Sequence, residues 1–347
     1  MRVVSPAPRD VWLDVLKSDP TAFVYQTPEG LDALCAELDR EDASRLYEFA
    51  DGRQLILPLY RRRGVPKWLT VERSPKVGGL VSSGPVRPEE LQAIFSDLRS
   101  RPLLRTIVRP MALFGDTWAA AAPPDVNSVR CVAHALDLQG GFETVWEQRF
   151  NRQARRAIRK AERAQLDVEC DRTGKLVPVF YDLLQRSVDR WAEQRHEPRH
   201  LARWRAKHRD PQRRFRVMAE TLGEACQIWV ARVDGRPAAA IVVLQGANAH
   251  YTRGAMDKEL AGPVRASFLL QKLAIEDACK AGCRYYYMGE TGTSESLARF
   301  KSHFGAQAYA FSEYHLERFP ITSLENRLRG FARKLFDLRR NVRSSPS

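Results

Sequence analysis

Apolar and polar positions alternate along this chain between stretches of helical spacing and short apolar runs. Residues 9–18 and 29–40 predict helices, the second carrying Leu31, Leu34, Cys35 and Leu38 three and four apart. RLYEFADGRQLILPLY follows at 45–60. Asp51-Gly52 between two apolar runs is a hairpin signal, because such turns need residues that tolerate positive φ. Further on, 65–71 predicts a strand, 78–85 a glycine-rich loop, 88–100 a helix and 103–108 a strand. WAAAAPPDVN at 118–127 predicts an exposed loop, and 128–138 another strand. Gly140-Gly141 then marks a boundary between two units.

The second unit opens with a helix signal leading into FNRQARRAIRKAERAQ at 150–165. Phe150, Ala154, Ile158 and Ala161 form a narrow apolar stripe, and Arg152, Arg155, Arg156, Arg159, Lys160 and Arg163 cover the rest. Such a face either contacts successive phosphates or is solvated surface with partial relief from Glu162. A strand at 166–170 and a helix at 175–194 follow. His196 and His200 are four apart, but Pro198 between them denies the helical spacing a metal pair needs, so QRHEPRH predicts a surface loop. QIWVARVDGRPAAAIVVL at 227–244 repeats the earlier hairpin around Asp234-Gly235, with Arg236 after the glycine as Arg53 is in the first copy. We read a weak internal duplication, two α/β units of similar topology. Alternation then places Ala249, Tyr251 and Arg253 on one strand face and His250 and Thr252 on the other. MDKELAGPVRAS predicts a loop before a helix at 266–281. Gly262, Arg265 and Ser267 lie at that helix start, where free N–H groups attract anions.

Candidate chemistry converges on YYYMGETGTSESLARFKSHFG, 285–305. A short buried strand breaks at Gly289 and Gly292, Thr293 and Ser294 offer capping hydroxyls, and a helix puts Leu297, Phe300 and Phe304 on one face. Lys301 falls at the margin of that face, and Arg299 and His303 on the solvent side. Two readings of Lys301 are open: its amine snorkels to water, or it points into a ligand site beside the strand–helix turn. A strand is expected at 307–316, and 321–343 predicts a basic amphipathic helix that packs on the body or lies on an anionic membrane or RNA.

Composition narrows the partners. The 347 residues carry a net charge of +14 and a pI near 9.8, which favours polyanions. No apolar run reaches the ~20 residues of a membrane helix, and MRVVSPAPRDVW has no apolar signal core, so a cytoplasmic location is expected. The six cysteines form no CxxC pair; structural thiols are expected and no metal site. With no Ser/His/Asp or Cys/His arrangement, an acyl-enzyme route is not favoured.

The order helix, hairpin, strand, loop, helix, strand, helix, strand in the second unit resembles a GNAT-type acyltransferase domain. FNRQARRAIRKAERAQLDVE at 150–169, YTRGAMDKELAGPVRASFLLQKLAIEDACKAGCRYYYMGE at 251–290 and LARFKSHFGA at 297–306 resemble the FemABX-like acyltransferases, the peptidoglycan-bridge aminoacyltransferases and related acetyltransferase-like proteins. The resemblance spans about 145–317. It implies an α/β (α+β) chain of tandem GNAT-like domains, each a mixed, mostly antiparallel twisted sheet flanked by helices. Residues 1–140 and 141–320 would be the two domains, and 321–347 a basic helix and tail. The family moves an activated acyl group onto an amine, from aminoacyl-tRNA or acyl-CoA, with no bound cofactor. The lysine of its RFK block lies at the reaction site, here Lys301. The coiled-coil arm of some bridge enzymes is absent, and LAGPVRAS is only a degenerate version of the CoA pyrophosphate loop. We therefore expect transfer from aminoacyl-tRNA to a small or peptide-like amine. An acyl-CoA-dependent enzyme and a non-catalytic RNA- or membrane-binding module are the alternatives. Glu290 and Asp257 are candidate proton acceptors, and Lys301 a holder of acceptor anion or oxyanion. Tyr251, Arg253, Tyr287 and Phe300 are candidate substrate-binding groups. Arg152, Arg155, Arg156, Lys160, Arg265 and Ser267 are candidate ligands for donor phosphates.

Overall fold

Both Asp-Gly turns close hairpins in the computed structural model, which describes residues 1–292, 294–319 and 321–322. The first joins β3 and β4, the second β11 and β12. In chain order the strands are β1 Arg2–Val4, β2 Arg40–Asp42, β3 Arg45–Glu48, β4 Gln54–Leu57, β5 Tyr60–Arg62, β6 Val71–Arg73, β7 Val81–Ser82 and β8 Arg105–Val108. They continue with β9 Asn127–Asp137, β10 Asp167–Asp171, β11 Cys226–Val233, β12 Arg236–Gln245, β13 Ala249–Met256, β14 Tyr285–Glu290 and β15 Gln307–Glu317. A small sheet has the order β1-β3-β4-β7. A long mixed sheet has the order β10-β11-β12-β13-β14-β9-β15-β8-β6-β5-β2 and runs through both halves of the chain. At its centre the halves exchange strands. β9 precedes Gly140 yet lies between β14 and β15, and β15 pairs on its other side with β8.

Two apolar layers sandwich the second half of this sheet. One packs helices Val177–Gln194 and Gln212–Leu222, with Phe23 and Tyr25 from the first half, against Ile228, Val230, Val242 and Tyr287. The other packs helices Arg152–Arg163 and Ala266–Lys280, with Phe304, against Ala231, Ile241, Val243 and Tyr286. Period-two alternation sends neighbouring residues of one strand to opposite layers.

Four expectations need correction. Residues 65–71 are not a strand: Lys67–Leu69 is a 3₁₀ turn, and pairing starts at Val71, because Pro66 removes a donor. Gly115–Ala121 is a helix rather than exposed loop, with Trp118 buried against Phe95. Arg199–Arg209 is a helix that starts directly after Pro198, so His200 lies in a helix and not in a loop. Lys258–Val264 is also helical despite Gly262 and Pro263.

Candidate active site

β13 and β14 run side by side for two residue pairs only, Ala249↔Tyr286 and His250↔Tyr287. Beyond them each strand stays with its other neighbour, and the two diverge. At the mouth of this split β14 carries a register shift between Tyr287 and Gly289. Gly289 and Gly292 have φ of +71° and +54°, which L side chains avoid. The turn leads to helix Glu295–His303, whose cap is Ser294, its side chain accepting from Leu297 N. Thr293 lies outside the described residues.

Lys301 sits on that helix and does not snorkel. It is 1% exposed, and its Nζ donates to the carbonyls of Gly289 at 2.7 Å and Glu290 at 2.8 Å. Burial lowers its pKa from 10.5 to about 7. An ammonium has three donors, so one remains beyond these two bonds. His134 faces the same neighbourhood: β9 pairs it with Gly289, and burial and then Lys301 lower its pKa. His303, expected in solvent, is buried against the Phe268 ring.

Glu290 is pinned twice. Lys301 holds its carbonyl, and its carboxylate pairs with Arg109 of the first half, whose guanidinium also meets Glu313 at 3.1 Å and lies over the Phe311 ring. Arg109 escaped the sequence reading, because a lone arginine 181 positions away carries no local signal. Asp257 caps helix Lys258–Val264, accepting from Glu259 N and Leu260 N, and pairs with Arg186 at 3.1 Å. Its oxygens are thus engaged in structure.

The four expected substrate-binding groups do not share one face. β13 has a register shift in which Thr252 is the extra residue: Val242 pairs with Arg253 and Val243 with Tyr251. The bulge cancels the alternation expected for Tyr251 and Arg253. Tyr251 packs in the layer of the arginine-rich helix, where burial raises its phenol to about 12. Phe300 is on that side too, 5.1 Å from the Phe268 ring. Arg253 emerges on the opposite side, 2.7 Å from Asp210 and over Trp191. Tyr287 is there as well, packed on Phe23 and His250 with ring centroids 5.7 and 5.4 Å away. His250 is driven down to about 3, first by burial and then by Arg214, Lys301 and Lys76.

Helix Arg152–Arg163 starts at Asn151, whose side chain accepts from Ala154 N at 2.9 Å, and buries Ala154, Ile158 and Ala161. Its outer face forms a groove of about 1290 Å³ lined by Arg152, Arg155, Arg156, Arg159, Lys160, Arg163, Arg265 and Phe268, with no acidic side chain among the described residues that line it. Glu162 turns away toward Lys272. Ser267 is the one expected phosphate ligand outside the groove; its hydroxyl meets Met256 Sδ at 3.5 Å. Phe268 connects the groove to the Lys301 helix through Phe300 and Phe304. Burial pushes Cys170, Cys279 and Cys283 up to about 11, and Cys35 and Cys226 to about 12, which disfavours these five thiols as nucleophiles.

Residues 148–302 match the acetyltransferase (GNAT) domain family. No curated protein matches the sequence significantly. Among solved structures the chain is similar to FemX, at 14% identity and a TM-score of 0.68, covering 93% of this chain and 99% of that one. It is also similar to a conserved protein of unknown function from Bacteroides thetaiotaomicron, at 9% identity and a TM-score of 0.57, covering 88% and 95%. A third similarity, at 12% identity and a TM-score of 0.51 over 91% and 93%, is to the C-terminal domain of a candidate lysylphosphatidylglycerol synthetase from Agrobacterium fabrum. The domain match places an acetyltransferase (GNAT) domain at residues 148–302. Along its whole length the chain shares the fold of FemX, a mixed α/β architecture.

Proposed function

We propose that this chain is an N-acyltransferase that forms an amide by moving an aminoacyl group from aminoacyl-tRNA onto an amine. The carrying observation is the groove lined by seven basic residues and, among the described residues, by no acid, beside the helix of Lys301. A cation row of that length matches a run of backbone phosphates better than one pyrophosphate. The acyl-CoA alternative is weakened by helix Lys258–Val264, which occupies the place where a pyrophosphate loop would present free N–H groups.

In this reading the donor's terminal ester enters the split between β13 and β14 from the groove side. The acceptor amine approaches from the side of Tyr287, His250 and Arg253. A neutral amine attacks the ester carbonyl, a C–N bond forms, the C–O bond breaks, and the ribose oxygen leaves with a proton. Lys301 holds the turn at Gly289 and Glu290, and its protonated form has a third N–H for charge developing on the carbonyl oxygen. Glu290, oriented by Arg109, takes the ammonium proton directly or through water. Residues 1–140 and 141–320 act as the two units that frame the site. The basic stretch 321–343 lies, from 323 on, outside the described residues.

Turnover with an aminoacyl-tRNA pool and an amine acceptor, measured with and without ribonuclease, tests the donor. Activity that survives ribonuclease and requires acyl-CoA rules out tRNA and supports the alternative. Lys301→Ala should lower turnover at least a hundredfold while leaving RNA affinity unchanged. Strongly salt-dependent RNA binding without turnover on either donor would instead mark a binding module.

A further inference from the structure

The turn between β5 and β6 lies near the far edge of the long sheet, remote in sequence from the acyl-transfer residues. It carries the most exposed large apolar side chain among the described residues, Trp68 at 60%, and beside it Leu69 at 44%. Neither is loose. The 3₁₀ turn Lys67–Leu69 is closed by Leu69 N on Pro66 O at 2.9 Å and Thr70 N on Lys67 O at 3.0 Å. Buried Thr70 locks it further, its hydroxyl donating to the carbonyls of Val65 and Pro66. The fold thus presents an indole and an isobutyl group to solvent on a rigid tip.

The same turn and the end of β5 carry Arg62, Arg63 and Lys67, all exposed. Arg61 is paired with Glu41 and Glu72, and Arg63 donates to the Arg40 carbonyl. Among the described residues, no carboxylate forms an ion pair with Arg62, Arg63 or Lys67, whereas Arg73 faces Glu313. The other prominent tryptophan, Trp204 at 59%, differs: the arginines of its helix are answered by Glu193, Asp189 and Glu197. Apolar groups held in water on a turn that also carries uncompensated cations match the boundary of an anionic bilayer. There an indole and an aliphatic chain enter the headgroup region while the cations meet phosphates. Nucleic acid would use the indole and the charges, but an exposed leucine gains nothing from a base stack.

We infer that the β5–β6 turn is a membrane-contact tip, docking the protein on anionic phospholipid through Trp68 and Leu69 with Arg62, Arg63 and Lys67. The full chain is sedimented with vesicles of phosphatidylcholine alone and of phosphatidylcholine mixed with phosphatidylglycerol. Wild type should partition to the anionic vesicles only. Trp68→Ala with Leu69→Ala should weaken that binding at least tenfold with an unchanged circular-dichroism melt, because both side chains lie outside the core. Arg62→Gln with Lys67→Gln should weaken it by roughly fivefold per charge and flatten its salt dependence. Three results overturn the proposal: no binding by wild type, binding untouched by the Trp68/Leu69 change, or a Trp68-dependent affinity for RNA in place of vesicles. None of these readouts involves acyl transfer, so they stand apart from the donor assignment.

Discussion

Lys301→Met isolates what burying one amine does to the whole protein. The folded state lowers this amine's pKa from 10.5 to about 7 through burial. Between those two values the unfolded chain binds more protons than the folded one, so stability rises with pH through the window. Below about pH 7 both states are protonated and the full penalty of the buried charge applies; above about 10.5 neither is, and it vanishes. At about 1.4 kcal/mol per unit of pKa, wild type should gain about 1 kcal/mol between pH 7 and 8 and about 2 kcal/mol by pH 9. Methionine fills similar volume and has nothing to titrate, so the variant lacks this gain. Its loss of bonds to the Gly289 and Glu290 carbonyls costs about 1–3 kcal/mol each but does not depend on pH. The assay is guanidinium unfolding of both proteins at pH 7, 8 and 9, read as their difference so that the raised cysteines and tyrosines cancel. A constant difference would refute the buried-amine reasoning and mean that Lys301 is hydrated in solution.

Arg109→Ala should destabilise the fold by about 1–3 kcal/mol, because partly exposed Glu290 and Glu313 lose their counter-ion, and should lower turnover more than Arg109→Lys; thermal melts and steady-state rates check both. Arg156→Gln with Lys160→Gln should reduce the slope of log affinity for tRNA against log salt by roughly 1.5–2, as two phosphate contacts are lost; filter binding at several salt concentrations measures it. Gly305→Ala should cost more than about 2 kcal/mol or prevent folding, since φ is +79° and the added methyl would lie 2.4 Å from the Arg149 carbonyl oxygen; expression and melting temperature report it. Asn151→Ala should cost about 1 kcal/mol by uncapping the arginine-rich helix, seen as a lower unfolding midpoint with a smaller loss of RNA affinity.

Local signals carried much of the fold into view. The two Asp-Gly turns, the amphipathic stripe of Arg152–Arg163 and the hairpin order of the second half are written within windows of a dozen residues. Helices behind proline or glycine were harder to see. Lys258–Val264 contains Pro263 and Gly262, and Arg199–Arg209 begins directly after Pro198, where a proline starts a helix as readily as it ends one. The face of Arg253 was misread because one inserted residue, Thr252, reverses everything after it, and a bulge depends on the partner strand. Helical spacing puts Lys301 at the margin of an apolar face, whereas Leu297 and Phe300 are half-buried and the lysine is fully buried. Its burial is decided by the turn it anchors and the layer packed on it, which a helical wheel does not contain. The groove is legible as a charge run. That the run lies beside the Lys301 helix depends on Phe268, Phe300 and Phe304 meeting in space.

The seating of β15 between β9 and β8 sets an order on how the molecule can be completed. Until residues 307–317 are synthesised and zipped in, β8 and β9 present bare peptide edges, ready templates for a foreign strand. A gene cut at Gly140 should therefore yield sticky fragments rather than two autonomous proteins, and co-expressing the pieces should restore solubility. The design makes the nascent chain dependent on its own late arrival, so a premature stop codon anywhere before this strand produces a polypeptide that quality control must remove.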